Sequence, residues 1–459
     1  MARLNGRPVR LENVCSDRPW RPSSGRVPRG WMYDMLKGRS APGIGIVVLT
    51  LSIAMVISVG LVLSMGTPTT TSGDFSNGQL RSYQGEPTEQ WSLDLTDMRT
   101  YGEGATPVVA GTLGDIWLIA YPSGLGTTYL AIDRRNGERL WDVPIDAGLG
   151  SCAINGQGEL GCALSLTDRP DGFYLADLTS GELRGRSDIR NTRAVTGFGP
   201  DFLRVNDSGY QVSRNAPDGR QIWARTFAAA AKVEVRDDVV AVSASDGSKH
   251  IIDPATGIDR IGCDSCDMEI YPSGVALQFT GTDEQRVEFY RADGTRTSVN
   301  DKQQLVSGTS VLPVTTGTGP AQIMQTQGTY AVFDPPDAQR LWQITDPELS
   351  KVNTRPCGSV VIFALKDATR TAFDLRSGEQ LGRFARPDLM NPAANIDYLS
   401  CVGQGGDIAV FGNGGELTAF DVRDGSIAWQ RSIVGGQAEV VDGYLVLEEG
   451  STLTMLAPS

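Results

Sequence analysis

One pattern recurs along most of this sequence and constrains its fold more than any other feature. In a complete copy, a run of alternating apolar residues ends in an aspartate, a glycine follows four residues later, and a tryptophan follows eight residues after the aspartate. The complete and partial copies comprise Asp133, Gly137 and Trp141; Asp177 and Gly181; Trp223; Asp253 and Gly257; Asp334 and Trp342; Asp374 and Gly378; and Asp421, Gly425 and Trp429. Because self-similarity at a fixed period is the signature of repeat architectures, we interpret the chain as an array of similar units.

Each part of the pattern has a physical role. The alternation of apolar and polar residues predicts a half-buried strand. The aspartate can accept hydrogen bonds from the N–H groups of a turn, and the glycine can take the positive φ that reverses the chain. The tryptophan on the next strand is large enough to fill the space between neighbouring sheets. With two further short strands in each repeat of about 40 residues, the unit predicts a four-stranded propeller blade.

The predicted fold class is therefore all-β, an eight-bladed β-propeller of four-stranded antiparallel blades. Nine blades is the alternative, because counting every hairpin gives nine units, of which two are weak. The final run, 451–457, reads as a strand that precedes a turn, and the segment around Trp91 reads as the tryptophan strand that such a turn would lead to. Pairing the two ends would complete one blade and remove two open sheet edges.

An uncharged stretch of 24 residues, 43–66, precedes the repeats. At about 1.5 Å of rise per residue, a helix of this length spans a hydrocarbon core of ~30 Å. Residues 1–42 hold nine basic residues against three acidic ones, so the positive-inside rule places that end in the cytoplasm. We expect a single-pass cell-membrane protein with a cytoplasmic, basic, disordered tail (1–42), a transmembrane signal-anchor helix (43–66), a flexible linker (67–87) and an extracytoplasmic propeller (88–459).

Charge and composition argue against several functions. Residues 1–42 contribute +6 to a net charge of −13, so the remainder carries −19, and such an acidic surface repels nucleic-acid backbones. The single histidine, His250, would have to serve every Ser–His–Asp, histidine–metal or general-base scheme, and its place at a repeat strand favours a structural role. The sequence contains no G-x-S-x-G elbow and no P-loop. We therefore assign no catalytic, cofactor-binding or metal-binding residue.

The seven cysteines divide between the two predicted sides of the membrane. Cys15 is alone in the tail, and an even number in an exported domain indicates disulfides, although six cysteines allow 15 pairings. We favour three pairs, which are Cys152–Cys162 within one hairpin, Cys263–Cys266, and Cys357–Cys401 between neighbouring repeats. A zinc ribbon would need a second C-x-x-C pair, and only one is present.

The repeat resembles the tryptophan-docking motif of the PQQ-like, quinoprotein-type β-propellers, over roughly residues 88–459. The resemblance implies an eight-bladed propeller outside the cytoplasmic membrane. It also implies one of two roles, because the family contains quinone-dependent dehydrogenases and non-catalytic, BamB-like envelope scaffolds. The dehydrogenases use adjacent cysteines and a calcium site of clustered Glu, Asn and Asp, and this sequence has no adjacent cysteines. The BamB-like scaffolds carry a lipobox cysteine, which this chain replaces with a transmembrane segment.

We therefore expect a non-catalytic protein-interaction scaffold of the bacterial cell envelope, without a cofactor and with a partner that the sequence does not identify. The alternatives are a PQQ-dependent dehydrogenase and a ligand- or glycan-binding sensor that signals through the tail. A rigid ring of loops suits binding. The longest irregular connectors, 121–128, 315–322 and 384–396, are candidates for a recognition face, with Tyr121 as an exposed aromatic.

Overall fold

The computed structural model describes residues 75–459 except 97, 99–105, 187–188, 190, 237, 282–283, 318–327, 351–352, 387–390, 392–394 and 434. The predicted tail, the predicted membrane segment and the first part of the predicted linker lie outside the described residues. Within the described part of the chain, no helix is both long enough and apolar enough to cross a bilayer.

The described residues form nine sheets, each built around four antiparallel strands, and the sheet of blade 7 has a short fifth strand that pairs in parallel. In most blades the four strands are adjacent in the chain; the exceptions are blade 6, which skips one strand, and the closing blade. The first strand, β1 (Glu89–Asp94), belongs to that closing ninth blade. Blades 1 to 3 comprise β2 (Val108–Leu113), β3 (Ile116–Ser123), β4 (Gly126–Asp133), β5 (Ile145–Gly148); β6 (Cys152–Ile154), β7 (Leu160–Leu164), β8 (Gly172–Ala176), β9 (Leu183–Arg186); and β10 (Ala194–Phe198), β11 (Asp201–Val205), β12 (Gln211–Asn215), β13 (Gln221–Thr226).

Blades 4 to 6 comprise β14 (Ala231–Arg236), β15 (Val239–Ala244), β16 (Lys249–Ile252), β17 (Asp259–Cys263); β18 (Asp267–Tyr271), β19 (Gly274–Gly281), β20 (Glu284–Tyr290), β21 (Arg296–Asp301); and β22 (Gln303–Leu305), β24 (Val314–Gly317), β25 (Gly328–Asp334), β26 (Gln339–Asp346). A short strand, β23 (Thr309–Ser310), leaves blade 6 and pairs in parallel with β27 of blade 7.

Blades 7 to 9 comprise β27 (Arg355–Gly358), β28 (Val360–Ala364), β29 (Arg370–Asp374), β30 (Gln380–Phe384); β31 (Ser400–Gly405), β32 (Ile408–Gly412), β33 (Glu416–Asp421), β34 (Ile427–Ser432); and β35 (Gln437–Val441), β36 (Tyr444–Glu449), β37 (Thr452–Leu456) with β1. A 3-10 turn, Ile396–Tyr398, precedes blade 8.

The blade count corrects the preferred prediction. Eight blades is wrong, and the alternative of nine is confirmed, as are the all-β class and the four-stranded antiparallel blades. The weak copies still form complete hairpins; β20 and β21, for example, pair from Arg286 opposite Asp301 to Tyr290 opposite Arg296. A strand ladder is made by backbone groups, so a hairpin survives where the motif side chains have changed.

The core lies between neighbouring sheets. The first strands of successive blades touch each other, as β6 with β10 and β27 with β31, which places them innermost. The second strands are covered on both faces, and every residue of β7 and of β28 is buried. The predicted connector 121–128 is wrong for this reason, because most of it belongs to β3 and β4 and Tyr121 is only 1% exposed. Parts of the other two connectors, 315–322 and 384–396, lie outside the described residues.

The ring is closed by both ends of the chain, as expected from the sequence. Strand β1 pairs antiparallel with β37, from Glu89 opposite Leu456 to Asp94 opposite Thr452. The ninth sheet therefore has the order β1-β37-β36-β35, with its outer strand taken from the other end of the chain.

Residues 75–87, which we call the strap, depart from the expectation of a flexible linker over 67–87. The strap packs against the propeller, where Leu80 is 6% exposed and Tyr83 1% exposed. Its backbone is held by hydrogen bonds between Leu80 N and the Gln404 carbonyl (2.8 Å) and between Arg81 N and the Gly443 carbonyl (2.9 Å). The described part of the predicted linker is therefore bound to the ring.

Candidate functional site: blade junctions, strap and central channel

The motif tryptophan joins one blade to the next. Trp141, on the outer side of blade 1, lies on Gly181 of blade 2, where an added Cβ would come within 2.8 Å of the indole ring. The indole Nε1 donates a hydrogen bond of 2.8 Å to the carbonyl of Leu178 in the same turn. Gly181 has φ +71°, so it provides both the reversal of the chain and the space for the ring.

The same junction recurs around the ring. In each case the indole lies on the glycine of the next blade and donates to the carbonyl of the residue that follows the motif aspartate. The three further examples are Trp91 on Gly137 with Arg134 as acceptor (2.6 Å), Trp223 on Gly257 with Pro254 (2.8 Å), and Trp342 on Gly378 with Leu375 (2.8 Å). The tryptophan and glycine that touch therefore come from successive copies of the motif, which the spacing within one copy does not reveal.

The motif aspartates cap their own turns. Asp177 Oδ1 accepts hydrogen bonds from Thr179 N (2.9 Å) and Ser180 N (3.1 Å). Equivalent first bonds are made by Asp133, Asp253, Asp374 and Asp421 to the N–H group two residues later. The neighbouring Arg135 side chain lowers the pKa of Asp133 to about 2.

Asp334 is the exception among the motif aspartates. Pro335 and Pro336 follow it, and proline has no N–H group to donate. Its Oδ1 is buried without a hydrogen-bond partner, and its other oxygen lies 3.6 Å from the guanidinium of Arg376. The aspartate alone therefore predicts the turn, whereas its capping bond depends on the residues that follow.

Two junctions use a different side chain. Phe384 packs on Gly425 in place of a tryptophan, and Arg260 packs on Gly294. The close approach is kept in both junctions. Each glycine has positive φ, and an added Cβ would meet the partner side chain, Phe384 or Arg260, at 2.2 and 2.5 Å, respectively.

The strap completes the junction between blades 8 and 9. Blade 9 has no turn between β37 and β1, because these two paired strands are far apart in the chain. Trp429 Nε1 donates instead to the Tyr83 carbonyl of the strap at 2.9 Å. The Tyr83 hydroxyl donates to the Leu456 carbonyl (2.9 Å) and accepts from Leu445 N (2.8 Å). Burial raises the pKa of Tyr83 to about 12.

A stack of alternating aromatic and guanidinium groups fastens the strap to blades 9 and 1. The Arg81 guanidinium carbon lies 4.5 Å from the ring centre of Phe75 and 4.3 Å from that of Tyr444. Arg134 lies on the other side, 4.7 Å from the Tyr444 ring, and donates to its hydroxyl at 2.7 Å. Such contacts each contribute about 0.5–1 kcal/mol or more where water is excluded.

The strap also reaches the innermost strands of several blades. The Asn77 amide donates to the carbonyls of Ile270 on β18 (3.0 Å) and Ser310 on β23 (3.2 Å). Gly78 lies against Gly358 of blade 7, and its carbonyl accepts a hydrogen bond from Gln404 N of blade 8 at 2.7 Å. The strap and β23 therefore occupy part of the space that the nine inner strands surround.

A cavity of about 300 Å³ opens between the inner strand of blade 5 and the segment that follows β22. Its lining includes Asp267, Glu269, Lys249 and the amide of Gln278. Burial raises the pKa of Glu269, and Asp267 and Glu234 raise it further, while Arg236 opposes them. This cavity therefore offers charged and polar groups beside apolar ones such as Met268 and Leu305.

The structure joins the cysteines in the three pairs that the sequence analysis favoured. The bond between Cys152 and Cys162 links adjacent strands of one hairpin, with a Cα separation of 4.1 Å. The bonds Cys263–Cys266 and Cys357–Cys401 have Cα separations of 6.2 and 5.5 Å. The last one connects β27 and β31, the inner strands of neighbouring blades.

His250 takes part in a local polar cluster. Its Nδ1 lies 3.2 Å from Asp259 Oδ2, its Nε2 lies 3.2 Å from Ser248 Oγ, and its ring meets Phe227 edge-on at 5.2 Å between centres. In the part of the chain that the structure describes, no three His, Cys, Asp or Glu side chains come together as a metal-ion site.

The repeat-bearing region matches a known protein family. A family model described as outer membrane protein assembly factor BamB matches residues 283–452, which lie in blades 5 to 9. Together with the recurring motif, this match supports a PQQ-like β-propeller family. A comparison with curated protein sequences finds no match.

Several solved structures resemble the chain at low sequence identity. BamB from Moraxella catarrhalis is 16% identical, with a TM-score of 0.41 over 81% of this chain and 99% of that chain. The computationally designed Ika8 protein is 14% identical, with a TM-score of 0.35 over 68% and 97% of the two chains. The Dos1 propeller is 12% identical, with a TM-score of 0.35 over 67% and 92%.

Proposed function

We propose that this protein is a non-catalytic scaffold of the bacterial cell envelope, anchored in the cell membrane by residues 43–66, with its propeller outside the cytoplasm. The observation that carries the scaffold role is the match of blades 5 to 9 to a family model named for an assembly factor. The anchoring and the location rest on the uncharged stretch and the basic tail before it.

The architecture supports a binding role. The blade junctions, the strap and the three disulfides make a rigid ring, and a rigid ring with many loops suits protein recognition. The cavity at blade 5 is lined in part by polar and charged side chains, which suit contact with a polar partner surface, and His250 is engaged by its neighbours.

In-cell crosslinking of the full-length protein, followed by mass spectrometry, tests this function. We expect one envelope complex to be captured repeatedly, and we expect the capture to be lost from a chain reduced to residues 1–87. Alkaline extraction and external protease digestion of intact cells test the location, because an anchored external propeller resists extraction and is cleaved from outside. Repeated capture of cytoplasmic proteins, or no capture at all, would contradict the proposal.

A further inference from the structure

Exposed apolar side chains cluster on one part of the ring. Six large apolar side chains of the described residues are more than half exposed, and four of them lie within blades 1 and 2 and their connections. The four are Leu125 (97% exposed), Val143 (74%), Leu149 (52%) and Leu166 (74%). Single exposed apolar residues are ordinary on a protein surface, but a cluster of this kind indicates an interaction site.

Three loops hold this cluster in place. An added Cβ on Gly126 would come within 2.4 Å of the Gly148 carbonyl, and one on Gly148 would come within 2.0 Å of the Ser165 carbonyl. Leu149 N donates to the same Ser165 carbonyl at 2.9 Å. Because the backbones touch one another, the backbone positions of the leucines that neighbour these residues lie close together.

Leu166 has a backbone conformation that leucine rarely adopts. Its φ is +57°, and its N–H is held by Asp171 Oδ1 at 3.0 Å. A left-handed backbone costs a residue with a Cβ roughly 1 kcal/mol, and such strain is concentrated at functional sites. The strained backbone at Leu166 therefore carries a side chain that is mostly exposed to solvent and does not pack in the protein interior.

An acidic groove adjoins the leucines. A cleft of about 700 Å³ runs beside the short strand β5, and Val143 and Leu183 contribute to its apolar lining. Its charged lining residues are Asp142, Asp146, Asp168, Glu182 and Arg169, a formal charge of −3. An apolar surface next to a groove of this charge complements a segment that carries both apolar and basic side chains.

We infer that Leu125, Leu149, Leu166 and the adjoining groove form a docking site for a basic segment with apolar anchor residues, presented by a partner protein. This inference rests on the scaffold function proposed above. A second copy of the chain fits less well, since residues 43–459 carry a charge of −19. An anionic lipid surface is disfavoured for the same reason.

A photo-crosslinking amino acid, p-benzoylphenylalanine, at position 125 of the full-length protein in its host cell provides the test. We expect one protein adduct, whose crosslinked segment carries a net positive charge and at least one large apolar residue. Leu166→Asn keeps a residue that tolerates a left-handed backbone but removes the apolar group, and Asp168→Lys reverses one charge. Each should lower the yield of the adduct at least tenfold.

Matched controls lie on other parts of the ring. Ile258→Asn removes an apolar side chain that is 67% exposed, and Glu379→Lys reverses an exposed acid in a blade 7 turn. Both should leave the adduct unchanged. An adduct with a second copy, with lipid or with an acidic segment overturns the inference, as does an adduct that survives both test variants. If the position 125 test overturns the inference but crosslinking of the full-length protein still captures an envelope complex, the scaffold function stands. If no crosslinking position captures a partner, both proposals fail.

Discussion

At the scale of single residues, the glycine under each tryptophan determines how closely two blades approach. The sequence analysis attributed the glycine to chain reversal alone, because a turn can be read from consecutive residues. The second demand, space for an indole, comes from a residue about 40 positions away, as in the pair formed by Trp141 and Gly181. Local sequence therefore predicts the position of the glycine and its role in chain reversal, but not its role in making space for the indole.

Blade 2 offers a matched pair of glycines that separates these two demands. Gly181 and Gly185 have φ values of +71° and +61°, but only Gly181 has a neighbour within 4 Å of an added Cβ, the indole of Trp141. We expect Gly181→Ala to lower the free energy of unfolding by about 1–3 kcal/mol more than Gly185→Ala, because only the first forces the indole to move. Urea unfolding of both variants measures the difference. Equal losses would show that φ strain alone matters.

Glu439 on β35 and Glu448 on β36 form an interacting pair of carboxyl groups. Desolvation by the surrounding strands and the charge of the buried Glu448 raise the pKa of Glu439 to about 7, while part of the Glu439 side chain stays exposed to solvent. Burial also raises the pKa of Glu448, which is hydrogen-bonded to the Gln437 amide at 3.1 Å. Because the pKa of each group is raised in the folded state, the pair makes stability depend on pH.

The direction of that dependence follows from proton binding. An unfolded glutamate releases its proton near pH 4.3, so between about pH 4.5 and 7 the folded state holds a proton that the unfolded state has lost. Stability due to Glu439 is therefore highest at the acidic end and falls as the pH rises to about 7. We expect the Tm of the wild type minus that of Glu439→Gln to decrease between pH 5 and 8. The exposed Glu138→Gln is the control, and a difference that rises with pH would contradict the assignment.

At the scale of elements, the strap acts as a substitute for a missing turn. Apolar alternation and Gly-containing turns predict most of the hairpins, but the polar composition of residues 75–87 favours a linker. The buried side chains Leu80, Tyr83 and Pro87 could have indicated docking, but three apolar residues without periodicity carry little signal. Their partners, such as Leu445 and Leu456, come from the opposite end of the chain.

Removal of the Tyr83 side chain tests the strap. Tyr83→Ala opens a cavity between blades 8 and 9 and leaves Leu445 N without its acceptor, so we expect a loss of about 3–5 kcal/mol in the free energy of unfolding. Ser82→Ala removes one exposed hydrogen bond and should cost less than about 1 kcal/mol. Limited proteolysis should cut within 75–87 in the alanine variant of Tyr83 and spare it in the wild type. Equal proteolysis of the two chains would contradict the role.

At the scale of the whole molecule, nine sheets close into one ring through a blade that is shared by both ends. The sequence predicted this closure correctly, because the unfinished hairpin at one end and the isolated tryptophan strand at the other can both be recognised from consecutive residues. It did not decide between eight and nine blades, because the count depended on hairpins such as β20–β21 whose motif side chains are absent. Backbone hydrogen bonds between the strands hold those hairpins together, and such bonds do not require particular side chains that the sequence would show.

Shortening the chain tests the closure. A chain that ends at Gly450 lacks β37, so β1 loses its partner and the ninth blade keeps only two strands. We expect this chain to lose the single cooperative unfolding transition and to become sensitive to protease throughout blades 8, 9 and 1. A chain without Pro458 and Ser459 loses only peripheral bonds to the strap and should unfold as the wild type does. Unchanged unfolding of the first chain would contradict the need for closure.

The shared blade also determines when the ring can close during translation. Strand β1 ends at Asp94 and its partner β37 begins at Thr452, so the ribosome must add more than three hundred residues between them. At about 5–20 residues per second, β1 waits for its partner strand for tens of seconds while the blades between β1 and β37 are made. Strand β37 therefore completes the ring, and a nascent chain halted before Thr452 carries eight finished blades without a closed ring.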